Sequence, residues 1–67
     1  MNPLSIEYEM VIFGAGKFGF PAVRYSCIGD DIDIGGDWYP VTSILTSGEI
    51  IGQNRLTNGT KIIGYVR

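Results

Sequence analysis

The clearest pattern in the chain is an alternation of polar and apolar residues near its N-terminal end. Between Ile6 and Phe13, Glu7 and Glu9 alternate with apolar side chains, which is the period expected of a half-buried β-strand. The alternation fades over residues 11–13, which are all apolar. We therefore predict a first strand whose far end is covered on both faces.

Further runs rich in β-branched and aromatic residues predict the remaining strands. They are residues 17–27, 38–46, 49–56 and 61–66, with a short additional strand at residues 31–34. Pro21 lies inside the first of these runs and indicates an edge strand or a bulge there. Asn58-Gly59 favours a tight hairpin turn before the last strand.

The residue inventory favours an all-β fold. Isoleucine, valine, threonine and the aromatic residues outnumber the good helix formers, and ten glycines supply turns. We predict one β domain over residues 1–67, an antiparallel meander of five or six strands that curls into a barrel or packs face to face in a homo-oligomer. Because chains this small rarely bury a sufficient core and Cys27 has no disulfide partner, a homo-oligomer is expected.

The composition excludes several classes of function. The chain has no histidine and one cysteine, which excludes a tetrahedral zinc site and leaves Cys27 without a base, so we interpret it as an apolar filler. The net charge of −2 argues against nucleic acid and anionic membranes as partners. The first residues lack the features of a signal peptide. We expect a cytoplasmic protein that is not an enzyme and needs no cofactor or metal.

A motif of three glycines follows the first predicted strand. Gly14, Gly16 and Gly19 follow an apolar strand with the spacing G-x-G-x-x-G, which looks like the dinucleotide-binding fingerprint of the Rossmann fold. That motif requires a helix after the glycines, and Pro21 inside such a helix would cost about 3 kcal/mol. No further strand–helix units follow. We therefore predict a hairpin loop, with residues 14–16 as the connection between two strands.

An acidic segment followed by aromatic residues is the best candidate for a binding site. Four aspartates fall within residues 30–37 and are followed at once by Trp38. The spacing begins like a calcium loop, but Gly35 stands where a third ligand is needed. Aromatic side chains supply contact area and carboxylates meet basic groups of a partner. The predicted partner-binding residues are Asp31, Asp33, Asp37, Trp38 and Tyr39.

The functional hypothesis is a non-catalytic binding protein. Its small size suits an accessory or inhibitory protein, of the kind that phages and plasmids encode, which docks on and blocks a protein partner. The alternative is a homo-oligomeric binder of a small ligand such as a nucleotide, held in pockets between subunits. The ligand-binding residues in that alternative are Gly14, Ala15, Gly16, Lys17, Arg24, Arg55 and Lys61.

Overall fold

The computed structural model describes residues 6–67 and contains one antiparallel sheet of six strands. The strands are β1 (Tyr8–Ile12), β2 (Ala22–Ser26), β3 (Asp31–Ile34), β4 (Asp37–Ile44), β5 (Glu49–Gln53) and β6 (Thr60–Val66). The prediction of an all-β antiparallel fold is therefore confirmed. The described residues include no helix long and apolar enough to cross a membrane.

The strand order explains how the sheet curls. Across the sheet it is β2-β1-β6-β5-β4-β3, so the first strand pairs with the last and the two edges are β2 and β3. These edges are consecutive in the chain and are joined only by residues 27–30. The linker is held on β4, where the Gly29 N–H donates to the Val41 carbonyl at 2.8 Å and the Val41 N–H donates to the Asp30 carbonyl at 2.9 Å. The sheet is consequently a half-barrel that opens between β2 and β3.

Alternate residues of the strands form the core on the inner face of the half-barrel. The buried apolar residues are Met10, Ile12, Ile32, Tyr39, Val41, Ile50 and Ile63. The first strand follows its predicted alternation, with Met10 and Ile12 directed inward. The expectation that its far end is covered on both faces is wrong, because Phe13 follows the strand on the exposed side.

The second strand is shorter than predicted at its N-terminal end. Residues 17–27 were expected to be extended, but Lys17–Gly19 form a 3₁₀ turn in which Phe18 has a positive φ of 60°. The connection between β1 and β2 is therefore longer than the predicted three glycine-rich residues and contains Pro21. The second strand is a sheet edge, one of the two alternatives that Pro21 predicts, although Pro21 itself lies just before β2 and not inside it.

The last hairpin is organised by an asparagine that the sequence pattern did not indicate. β5 ends at Gln53, and the Oδ1 atom of the buried Asn54 accepts hydrogen bonds from the N–H groups of Leu56 and Thr57 at 2.8 and 3.0 Å. Asn58 does adopt a positive φ of 62°, but it lies within a longer loop and not in a two-residue turn. The side chain of Asn54 thus adds to the backbone hydrogen bonds of this loop, in which the Asn54 N–H donates to the Gly59 carbonyl at 2.8 Å and the Asn58 N–H donates to the Asn54 carbonyl at 2.9 Å.

The last strand, β6, contains a β-bulge opposite Ile50 and Ile51 of β5. Ile50 pairs with Gly64 and Ile51 pairs with Ile62, so Ile63 is the extra residue on β6. Ile63 is fully buried whereas Ile62 is 46% exposed. The bulge therefore interrupts the alternation, so that Ile63 and Gly64 are buried in succession while Ile62 and Tyr65 on either side are exposed.

Candidate functional site

A cleft lies at the opening of the half-barrel, and we call it the seam. It has a volume of about 490 Å³ and lies between the edge strands β2 and β3. Its lining residues are Val23, Arg24, Tyr25, Ser26, Asp30, Asp31 and Ile32. The seam is thus built from both edges of the sheet and from the end of the linker that joins them.

Charged residues of both signs line the seam. Arg24 lies on β2 and makes no salt bridge with any of residues 6–67, while Asp30 and Asp31 lie on the other side. The Oδ2 atom of Asp31 accepts a hydrogen bond from Arg55 Nη2. The Oδ1 atom of Asp31 is buried and has no hydrogen-bond partner within the described part of the chain. A buried acceptor without a donor is unfavourable, so this carboxylate favours an additional donor.

The two edges of the seam differ in how they are protected. β3 is four residues long and carries Asp31 and Asp33, and short charged strands are poor templates for pairing with another strand. β2 instead presents Val23 and Tyr25, the latter 68% exposed, with Arg24 between them. The β2 edge is therefore the more receptive of the two toward an added strand.

Apolar side chains also cover the outside of the sheet over β2, β1 and β6. We call this surface the outer apolar face; its members are between 43% and 68% exposed and comprise Phe13, Val23, Tyr25, Ile62 and Tyr65. The cross-strand pairs Val11–Val23 and Val11–Tyr65 connect the three strands. The rings of Phe13 and Tyr65 lie with their centroids 5.8 Å apart and tilted by 53°. Contiguous exposed apolar surface of this kind is typical of an interaction site.

The structure separates the residues of the predicted acidic–aromatic site. Asp33 and Trp38 are cross-strand partners on the β3–β4 hairpin, and Trp38 is 47% exposed. Tyr39 is only 8% exposed and belongs to the core, because adjacent strand residues point to opposite faces. Asp31 is engaged by Arg55. Asp37 is exposed at the start of β4. The predicted residues that remain together on the surface are therefore Asp33, Asp37 and Trp38, at the end of the β3–β4 hairpin.

The carboxylate of Asp33 is hydrogen-bonded within this hairpin. Asp33 Oδ1 accepts a hydrogen bond from the Gly36 N–H at 3.0 Å and so stabilises the turn between β3 and β4. Among residues 6–67, no group of three or more histidine, cysteine, aspartate or glutamate side chains is arranged to hold a metal ion.

Several residues of the predicted ligand-binding set already have partners within the chain. The Gly16 N–H donates to the Phe20 carbonyl at 2.6 Å, so this amide does not point outward as in a phosphate-binding loop. Arg55 pairs with Asp31. The Lys61 ammonium lies 4.5 Å from the centre of the Tyr39 ring. Gly14 and Ala15 pack near the core, Lys17 is exposed, and Arg24 lines the seam.

Cys27, at the start of the linker, is held by Asp30. The Cys27 N–H donates to Asp30 Oδ2 at 3.0 Å, and the thiol lies 3.5 Å from Oδ1. Burial raises the pKa of the Cys27 thiol above its ordinary value, and the hydrogen bond to Asp30 and the negative charge of that carboxylate raise the pKa further.

This arrangement predicts slow alkylation of Cys27. A raised pKa lowers the thiolate fraction at a given pH, and the thiolate is the reactive form. We expect iodoacetamide to modify Cys27 more slowly than free cysteine at pH 8, and Asp30→Asn to accelerate the reaction. Mass spectrometry over a range of pH measures both rates. Asp33→Asn, which removes a carboxylate bonded elsewhere, is the control, and a wild-type rate equal to that of free cysteine would contradict the assignment.

Sequence reasoning missed most of the residues of both surfaces. Of the predicted binding residues only Arg24 and Asp31 line the seam, and the sequence pattern does not predict the outer apolar face. The alternation over residues 22–26 together with Pro21 was a usable signal for an exposed edge strand. Nothing local indicates that β3 lies opposite that edge.

Comparison with known proteins identified no relative of this chain. No protein-family model matches the sequence. Searches of curated proteins and of solved structures found no significant match. The proposals below therefore rest on the geometry of the chain alone.

Proposed function

We propose that this chain is a non-catalytic binding protein, an accessory or inhibitory protein that docks on a protein partner and blocks it. The observation that carries the proposal is the outer apolar face. Four of its five large side chains lie on β2 and β6, and Phe13 directly follows β1 between them; all five expose between 43% and 68% of their surface. Aromatic side chains in such a position supply most of the binding energy in protein interfaces.

The border of the face supports a protein partner. Glu9 lies opposite Tyr25, and Glu49 lies opposite Tyr65, so carboxylates adjoin the two exposed tyrosines. Glu9 Oε1 is also 3.4 Å from Arg67 Nη1. An apolar centre with a polar rim is the usual composition of a protein–protein interface. The carboxylate of Glu49 and the net charge of −2 favour a partner with basic residues around an apolar surface.

Tyr65→Lys tests the proposal. The substitution places a charge within the outer apolar face, beside Phe13, where desolvating it on binding is unfavourable, yet it leaves a partner for Glu49 across the strands. We expect the partner to bind at least about tenfold more weakly, a loss of about 1.4 kcal/mol. The partner is first captured by affinity to the wild-type chain and then purified. Its affinity for the wild type and for each variant is measured by calorimetric titration.

Leu56→Lys is the matched control. Leu56 is 85% exposed in the loop between β5 and β6, so the same charge is introduced outside the face. The circular dichroism and thermal transition of both variants must match those of the wild type. Equal affinity of the partner for Tyr65→Lys and for the wild type would refute the assignment of the face.

A further inference from the structure

We infer that the partner contributes an extended segment that enters the seam and pairs with the exposed edge of β2. This inference rests on the proposed function and specifies the recognition mode, which is addition of a β-strand. The occupant is a peptide segment of the partner with apolar residues alternating with a carboxylate. It extends the sheet beyond β2 and enlarges the outer apolar face at Val23 and Tyr25.

The backbone of β2 provides the template. β2 pairs with β1 along one edge only, so its other edge offers N–H and C=O groups to a new strand, as in known cases of strand addition. Five strand residues span about 17 Å, which sets the length of the segment that β2 can bind. The cleft beside this edge provides room for the segment.

The side chains of β2 define the chemistry of the segment. Val23 and Tyr25 lie on the outer face and Arg24 on the inner face, according to their pairing with Val11, Glu9 and Met10 of β1. Residues opposite one another in a sheet share a face. Apolar residues of the segment would therefore lie beside Val23 and Tyr25, and a carboxylate between them would lie beside Arg24.

Asp31 supplies an independent reason for an occupant. Its Oδ1 atom is buried without a hydrogen-bond partner among residues 6–67, and the residue lines the same cleft. A segment that displaces the atoms covering Oδ1 as it enters the seam would bring a backbone N–H or a hydroxyl to this acceptor. Occupation of the seam would thus offer a donor to Asp31 and an acidic partner to the exposed Arg24.

A second copy of this chain is a poorer occupant of the seam. β2 consists of the residues Ala-Val-Arg-Tyr-Ser and contains no carboxylate to pair with Arg24 in any register. In the antiparallel register centred on Arg24, the two arginines would lie directly opposite each other, and like charges in that position are destabilising. A segment of a different sequence, carrying an acidic residue, avoids both problems.

The test uses two five-residue peptides as probes, both blocked at their two ends. In one, three valines alternate with two glutamates, and in the other, three valines alternate with two lysines. Titration of the isotope-labelled full chain, followed by amide chemical shifts, reports the site and the affinity. With the glutamate peptide we expect shifts concentrated in residues 22–26 and 30–32. The lysine peptide should bind at least tenfold more weakly, and methylation of the amides that face β2 should abolish binding.

Charge reversal sharpens the test. Arg24→Glu should exchange the preference, so that the lysine peptide becomes the tighter ligand. Lys17→Glu makes the same charge change in an exposed loop residue and should leave the preference unchanged. The inference is overturned by the absence of shifts at millimolar peptide, by shifts confined to other strands, by an unchanged preference in Arg24→Glu, or by a concentration-dependent dimer that pairs through β2.

The outcome is separable from that of the proposed function. A captured partner that loses affinity for Tyr65→Lys but binds Arg24→Glu as tightly as the wild type would support the outer apolar face and overturn the strand addition. The reverse result would overturn the role of Tyr65 in the face and support the seam.

Discussion

Gly64→Ala is expected to destabilise the protein by about 3 kcal/mol or more, or to prevent its folding. Gly64 lies in β6 directly beside β1, opposite Ile12. A Cβ atom at this position would overlap the carbonyl oxygen of Val11 and would lie 2.9 Å from the carbonyl carbon of Val11 and 3.0 Å from Ile12 Cα. These are backbone atoms of a paired strand, so they can retreat only if the β1–β6 pairing is disrupted.

Urea denaturation followed by circular dichroism measures this effect, with Gly59→Ala as the matched control. Gly59 lies in the loop before β6, and the nearest atom to an added Cβ is the flexible Thr57 Oγ1 at 3.3 Å. Neither glycine has a positive φ, so the two substitutions differ in space and not in backbone strain. We expect Gly59→Ala to change the stability by less than about 1 kcal/mol. Similar midpoints for both variants would show that β6 does not approach β1 this closely.

Ile63→Ala is expected to cost between about 2 and 5 kcal/mol, the usual range for truncation of a buried isoleucine. Ile63 is the bulged residue of β6, is fully buried and belongs to the core. Its methyl groups also fill the space left by Gly52, where an added Cβ would lie 2.9 Å from Ile63 Cδ1. Removing them opens a cavity in the middle of the half-barrel. Since small domains have only about 0.05–0.15 kcal/mol of stability per residue, this is a large fraction of the total.

Ile62→Ala provides the adjacent control for this measurement. Ile62 is 46% exposed on the outer apolar face, so its truncation should cost less than about 1 kcal/mol. The two variants remove the same atoms from neighbouring positions, and their denaturation midpoints should differ clearly. If Ile62→Ala were the more damaging variant, Ile62 and not Ile63 would face the core.

The strands were predictable where their residues alternate. Tyr8–Ile12 and Asp31–Ile34 are recognisable from the period of two residues alone, since one face of each is buried. Errors arose where a local conformation interrupts a favourable composition. Phe18 is aromatic and suits a strand by type, yet its positive φ belongs to a turn, and composition does not report that angle.

The candidate site was less predictable because it depends on contacts distant in sequence. Trp38 and Tyr39 were predicted to share a surface, but the alternation of strand residues sends Tyr39 into the core. The seam exists because β2 and β3 are not paired with each other, while β1 pairs with β6. The sequence pattern of β2 and β3 does not contain that information.

The position of β6 has a consequence for folding kinetics. β6 is the strand that joins the β1–β2 hairpin to the β3–β5 meander, since it pairs with β1 on one side and β5 on the other. The contact between Met10 and Val66 bridges almost the whole chain, and long-range pairing of this kind slows folding because loop closure precedes any stabilising contact. The two parts can each form early from local contacts, but a common core requires β6 to dock between them. The rate-limiting step is therefore expected to be the docking of β6 between these two parts.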